Sequence, residues 1–169
     1  MDRLWAPWRL EYIQGPEADG CIFCIDADRA NDRERLIVVR GESCYVMMNR
    51  YPYTNGHLMI LPSRHLADPA DLESAEIQEL HRLMVLSQGV LRDVCCAEGF
   101  NVGWNFGQAA GAGITAHIHM HIVPRWAGDS NFMPILADTR VIPQHIEKTY
   151  TLLVNAFSSM RSAFHCNEQ

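Results

Sequence analysis

Three histidines alternate with apolar residues in the stretch Ala116-His117-Ile118-His119-Met120-His121-Ile122-Val123-Pro124. On a β-strand, residues two apart share a face and stand roughly 6.5 to 7 Å apart. The three imidazoles then gather on one side, while Ile118, Met120 and Ile122 enter an apolar layer on the other. With an ordinary pKa of about 6.5, imidazole is both a nucleophile and a proton carrier at neutral pH. Three such rings on one patch suit phosphoryl or nucleotidyl transfer better than a bare strand face or a purely structural metal site, so the pattern points to an enzyme. Directly upstream lies Gly107-Gln108-Ala109-Ala110-Gly111-Ala112-Gly113. Glycines let a backbone approach a ligand closely and turn N–H groups toward it, so beside three histidines this loop reads as a phosphate cradle; elsewhere it would be a plain connection.

Cys21 and Cys24 form a Cys-x-x-Cys pair, which by itself fits a zinc half-site, a redox pair or two packed thiols. A tetrahedral metal would need two more ligands. Cys44, Cys95, Cys96 and Cys166 read as core or surface thiols, and His81, His145 and His165 sit in no pattern that suggests chemistry.

These groups need a scaffold. Leu36 to Val39 and Cys44 to Met48 are apolar, β-prone runs joined by Arg40-Gly41-Glu42, which predicts a hairpin. Asn49 to Gly56 is a loop, and His57 to Leu61 is a third strand closed by Pro62. From about Asp71 to Ala97, Ile77, Leu80, Leu83, Met84, Leu91 and Val94 recur at helical spacing, with Glu73, Glu76 and Glu79 favouring the first turns and Glu98-Gly99 as the stop. Phe100 to Trp104 and His117 to Val123 complete the strands. A last helix starts near Pro143, with Ile146, Tyr150, Leu153, Val154 and Phe157 on one face. The order predicts an α+β fold: an antiparallel sheet of about five strands, one long central helix and a C-terminal helix. Residues 1–20 read as an arm, Trp5 and Trp8 packing on the body, and about 163–169 as a loose tail of a single 1–169 domain.

The chain has 169 residues, 48% hydrophobic and 20% charged, which fits a soluble globular domain. A formal charge of −6 argues against a nucleic-acid binder, although local cations and backbone N–H groups can still hold one or two phosphates. Asp2, Arg3, Arg9 and Glu11 interrupt any secretion signal. No apolar run approaches the roughly 20 residues of a membrane span. Six cysteines without such a signal imply a reducing, cytoplasmic setting.

His117-x-His119-x-His121, with Asn49-Arg50, Asn55-Gly56-His57 and Pro62-Ser63-Arg64-His65, resembles the histidine triad family over roughly residues 21–126. The resemblance implies that His119 is the nucleophile, that His121 helps bind and protonate the phosphate, and that His117 supports the active ring's orientation. It also implies that Asn49 binds the ribose, that Met47 and Met59 border the base, and that His57 supports the site. Many relatives carry Gln four residues before the first triad histidine, where this chain has Gly113. The longer loop, with Asn105, Gly111, Gly113, Ile114 and Thr115, is expected to replace that contact, and Trp126 to stack on or clamp the nucleotide. The Trp5-Ala6-Pro7-Trp8-Arg9 start, the Cys-Ile-Phe-Cys pair and Asn131-Phe132-Met133-Pro134 are similar to a bacterial branch associated with diadenosine polyphosphate phosphorolysis or hydrolysis.

By resemblance to metal-binding triad proteins and to galactose-1-phosphate uridylyltransferases, His65 and His117 would join Cys21 and Cys24 around a structural zinc. A Cys₂His₂ site of this kind is closed, and it would pin the amino-terminal segment to the catalytic strand. The implied activity is cleavage of a dinucleoside polyphosphate, foremost diadenosine tetraphosphate, through a nucleotidyl-His119. Phosphate or water is the acceptor, no organic cofactor takes part, and a homodimer, paired again in a tetramer, is expected. The alternatives are a nucleoside phosphoramidase and a nucleotide- or zinc-binding sensor with little turnover.

Overall fold

A computed structural model describes residues 20–129 and 144–165, with side chains through residue 160. Residues 1–19 with Trp5 and Trp8, the Asn131 to Pro134 segment, Pro143 and residues 166–169 lie outside the described residues. Five strands form one antiparallel sheet: β1 (Ile37–Arg40), β2 (Cys44–Met48), β3 (Leu58–Pro62), β4 (Gly99–Trp104) and β5 (Met120–Arg125). Their order is β1-β2-β3-β5-β4. Two helices, α1 (Ser74–Cys95) and α2 (Ile146–His165), complete the α+β fold. Among the described residues no helix is long and apolar enough to cross a membrane.

Strand alternation divides the sheet into two faces. Val38, Cys44, Val46, Met48, Leu58, Ile60, Met120 and Ile122 point toward the helices and bury against Leu80, Leu83, Leu86, Val90 and Leu91 of α1 and Tyr150, Leu153 and Phe157 of α2. The opposite face carries Ile37, Tyr45, Met59 and Leu61, covered by Phe23. On this face the register runs Ile37, Met47, Met59, His121, Gly103 in a single row across all five strands. A catalytic-type side chain therefore sits in the middle of a floor that is otherwise apolar.

Several details differ from the expectations. Helix α1 begins at Ser74, after a short 3-10 turn at Pro69–Asp71, and stops where Cys96 takes a left-handed conformation (φ 52°), two residues before Glu98. Ile77, expected on the buried face, is exposed, because Glu76 and Glu79 turn inward at that end of the helix. Glu76 accepts the Glu73 N–H at 2.9 Å as a helix cap and pairs with Arg64 at 2.7 Å. Glu79 accepts the backbone N–H groups of Glu42, Ser43 and Cys44 and the Ser43 hydroxyl, all at 2.7 to 2.9 Å, and so ties the β1–β2 turn to α1. A Cβ on Gly41 would collide with that carboxylate, which is why the turn carries glycine there. Helix α2 runs to His165, past the expected start of a loose tail at 163.

Candidate active site and metal-ligand cluster

Strand β5 starts at Met120, so His117 and His119 lie on the extended run leading into it and only His121 is within the ladder. The run is held by other means: Ile118 donates its N–H to the Leu66 carbonyl at 2.7 Å, and the His117 ring reaches the Pro62 carbonyl through Nε2 at 2.9 Å. The alternation survives, and the rings of His119 and His121 meet edge to face with centroids 4.9 Å apart.

The Nδ1 of His119 lies 2.9 Å from the backbone carbonyl oxygen of His117. A carbonyl can only accept, so Nδ1 carries the proton and Nε2 keeps the lone pair. Burial lowers the pKa of His119, only partly opposed by that hydrogen bond, which keeps the ring neutral at physiological pH. A neutral imidazole with one nitrogen tied down and the other bare is the form that attacks an electrophile.

The tautomer of His121 follows from its neighbours. The Tyr53 N–H donates to His57 Nδ1 at 3.1 Å, with the Asn49 amide 3.4 Å from the same atom. His57 therefore holds its proton on Nε2, which lies 2.9 Å from His121 Nδ1. His121 Nδ1 accepts, and its Nε2 carries a hydrogen into the site. Burial first, then the adjacent His119, pushes His121 down to about 4, so its ring is also neutral. One histidine thus presents a lone pair and the next an N–H, a pairing suited to nucleophilic attack beside a hydrogen-bond donor.

A second group forms on the other side of His117. The ligand atoms of Cys21, Cys24, His65 and His117 all lie within 4.8 Å of one another. Cys21 Sγ is 3.5 Å and Cys24 Sγ 4.0 Å from His117 Nδ1, and Cys24 Sγ is 3.3 Å from His65 Nδ1. A tetrahedral zinc with ligands at 2.0 to 2.3 Å needs its donors roughly 3.4 to 3.8 Å apart, and these separations bracket that value. His117 donates through Nε2 to the Pro62 carbonyl, which leaves Nδ1 as the lone pair aimed into the cluster; a hydrogen bond from the other ring nitrogen commonly orients a metal-binding histidine in this way. The segments bearing the other donors are fixed independently: Arg64 pairs with Glu76 beside His65, the Arg35 guanidinium donates to the Cys24 carbonyl, and Cys24 N–H donates to the Cys21 carbonyl. Burial, then the neighbouring Cys21, raises the Cys24 thiol pKa.

The HIT domain family profile matches residues 31–128, more than half of the chain. This chain belongs to the HIT family. It is 36% identical over 166 residues to an AP-4-A phosphorylase of Mycobacterium tuberculosis, a match covering 94% of this chain and 85% of the relative. Among solved structures, a Zn-bound histidine triad family protein from Mycobacterium smegmatis superposes with a TM-score of 0.62 at 26% identity, covering 76% of this chain and 87% of the other. A histidine triad nucleotide-binding protein from Sulfolobus tokodaii shares the fold, with a TM-score of 0.65 at 22% identity over 83% and 94% of the two chains.

The remaining residues singled out from sequence fall unevenly around this HIT site. Met47 and Met59 face each other across β2 and β3, and Met59 pairs with His121, so both border the triad row. Asn49 is half-buried at the end of β2, with Oδ1 accepting the Tyr51 N–H. Asn105 follows β4, half-buried, and Ile114 packs on the apolar floor. In the glycine loop, Ala110, Gly111 and Ala112 spend their N–H groups on the Gly107 and Gln108 carbonyls. Gly111 serves the turn itself, with φ 86°. The backbone N–H groups of Gly113, Ile114, Thr115 and Ala116, next to the histidines, bond no acceptor among the described residues. Trp126 is a correction. Its indole donates to the Cys95 carbonyl at 3.0 Å and packs with the helix-side core, because position 126 shares strand parity with Ile122 rather than His121. Two residues were missed: Phe23, against His117 and His119, and Tyr53, stacked on His121 at 5.9 Å and tilted against His57 at 4.6 Å. An aromatic residue between two cysteines was the available signal for the first.

Proposed function

We propose that this protein is a diadenosine polyphosphate phosphorylase working through a covalent nucleotidyl-His119. The observation that carries the reading is the fixed tautomer of His119, which leaves Nε2 with the lone pair on a ring 4.9 Å, centroid to centroid, from that of His121. The similarity to an AP-4-A phosphorylase over nearly the whole chain supports the substrate class. His119 Nε2 attacks the α-phosphorus, forming a P–N bond as the P–O bond to the polyphosphate breaks. The leaving oxygen accepts a hydrogen bond from His121 Nε2 as negative charge builds on it, and ATP departs as the anion. Inorganic phosphate then attacks the same phosphorus, the P–N bond breaks, and ADP leaves. Backbone N–H groups of residues 113–116 receive the phosphate oxygens, Asn49 the ribose, and Met47 with Met59 the base. His117 takes no part in proton transfer, since both of its nitrogens are committed.

Cys21, Cys24, His65 and His117 would hold a structural zinc, which with two thiolates and two neutral imidazoles is a charge-balanced closed site. Such an ion supplies cross-linking of the Cys-x-x-Cys segment to the catalytic run, not a coordination position for substrate. A cytoplasmic homodimer remains the expected assembly.

The test incubates the protein with diadenosine tetraphosphate, with and without inorganic phosphate, and separates the nucleotides by chromatography beside His119→Ala. ADP with ATP, dependent on phosphate and absent in the variant, is the expected outcome. AMP with ATP in phosphate-free buffer would make water the acceptor, and normal turnover by His119→Ala would remove the nucleophile assignment.

A further inference from the structure

We propose that Phe23 is a positioning residue that couples the Cys/His cluster to the ring of His119, an inference that rests on the reading of His119 as nucleophile. Phe23 stands between the two cysteines and is 6% exposed. Its ring meets the His117 ring edge to face at 5.9 Å and lies against the His119 ring at 5.0 Å, tilted by 54°. Phe23 thus joins a member of the four-residue cluster to the His119 ring through two ring contacts.

The backbone of Phe23 is set by the cysteine turn. Its N–H points to Cys21 Sγ at 3.4 Å, and its carbonyl accepts from the Tyr45 hydroxyl. A change in the separation of Cys21 and Cys24 therefore moves the Phe23 ring. The hydrogen bond from His119 Nδ1 to the His117 carbonyl fixes one ring atom but leaves the imidazole able to pivot about it. The Phe23 ring is the wall that limits this pivot, with Ile37, Tyr45, Met59 and Leu61 behind it. Aromatic edge contacts are direction-dependent, so a branched aliphatic side chain fills the volume without fixing the angle. Displacement of a reacting atom by about 1 Å can cost on the order of a hundredfold in rate. Occupancy of the cluster and aim of the nucleophile are then linked through one ring.

The test uses zinc-loaded full chain, wild type and the variants Phe23→Leu and Phe23→Ala, with zinc stoichiometry and the amide spectrum of the sheet as controls for folding. Long-range hydrogen–nitrogen correlation spectra report the tautomer of each histidine ring, and rapid-quench measurements report formation of the nucleotidyl-enzyme from diadenosine tetraphosphate. Phe23→Leu should keep its zinc and a KM within about twofold while forming the intermediate about tenfold more slowly, and Phe23→Ala about a hundredfold more slowly. Chelating zinc from the wild type should shift the His119 ring resonances, and the same treatment of Phe23→Ala should leave them nearly where they were. A wild-type His119 signal indifferent to chelation overturns the coupling. A full shift in Phe23→Ala overturns it too, assigning the link to the His117 carbonyl alone. Folded, zinc-bound variants with wild-type rates remove the positioning role. If the wild type turns over no dinucleotide, the functional reading fails while the chelation-induced shift still stands or falls on its own.

Discussion

Replacing His57 by Leu tests the tautomer chain directly, because the substitution leaves a side chain of similar reach and removes the ring's hydrogen bonds. In the folded protein His57 donates to His121 Nδ1 at 2.9 Å and accepts the Tyr53 N–H at 3.1 Å. The bond to His121 contributes roughly 1 kcal/mol net, and leaving Nδ1 unpaired in a buried position costs about 1 to 3 kcal/mol more. That total, about 2 to 4 kcal/mol, formerly favoured the tautomer with hydrogen on Nε2. Each 1.36 kcal/mol is about tenfold, so the population able to donate to the leaving oxygen falls by about 30- to 900-fold. In steady-state assays with diadenosine tetraphosphate and phosphate, His57→Leu should lower kcat by about 30-fold or more, with KM within about threefold. His57→Gln, whose amide can donate from nearly the same place, should recover most of that loss. Equal kcat for the two variants, or a His57→Leu kcat within about twofold of wild type, would refute the relay.

Glu79→Ala strips acceptors from three backbone N–H groups, of which that of Cys44 is fully buried while those of Glu42 and Ser43 can turn to water. A loss of about 3 kcal/mol follows, lowering Tm by roughly 6 to 12 °C in calorimetry. Burial pushes the Glu79 carboxyl up, but the hydrogen bonds from Glu42, Ser43 and Cys44 outweigh it and leave the pKa below the ordinary glutamate value. A lowered folded-state pKa means stability that is present above the unfolded pKa of about 4.3 and lost as pH falls through the folded value. The gap between wild type and Glu79→Ala should accordingly shrink in acid, and a gap that is constant from pH 7 to below about 3.5 would contradict the pKa assignment. Gly41→Ala should destabilise by about 2 kcal/mol or more, since its Cβ meets the same carboxylate; a melting curve matching wild type would show that the turn can yield. With His121 pushed down to about 4, kcat/KM should be flat across roughly pH 5 to 8, whereas an acidic limb centred near 6.5 would mean that the rings titrate as if exposed.

Much of the scaffold was legible because each element carried its own local signal. The apolar, β-prone run of Cys44 to Met48, the Gly41 turn and the helical repeat of Leu80, Leu83 and Leu91 marked the strand, the hairpin and α1 within a few residues. The histidine row was legible for the same reason, since parity sends 117, 119 and 121 to one face even where the ladder itself begins only at Met120. Ile77 and Trp126 went astray where a residue's type suggested one role and its phase another. Glu76 and Glu79 claim the inward positions of the first turns of α1 because Arg64 and the Gly41–Cys44 turn satisfy them there, which leaves Ile77 outside. Trp126 sits in phase with Ile122, so its indole is committed to the Cys95 carbonyl.

Contacts that join segments far apart leave no periodic trace. Glu79 reaches Cys44 across 35 residues, His57 reaches His121 across 64 and Cys21 reaches His117 across 96. Each of these contacts binds a turn or a loop to the element that uses it, and together they turn an apolar sheet face into a site. His117 shows how tightly the pieces are shared: its Nε2 is held by Pro62, its Nδ1 faces the thiols, and its carbonyl fixes the tautomer of His119. A substitution at His117 therefore removes one of the four candidate metal ligands together with the ring's tie to Pro62, and so loosens the backbone whose carbonyl orients His119. A drop in turnover after such a change would not identify His117 as an acid or a base, whereas the separate variants at His57 and Phe23 divide the orientation of the donor from that of the nucleophile.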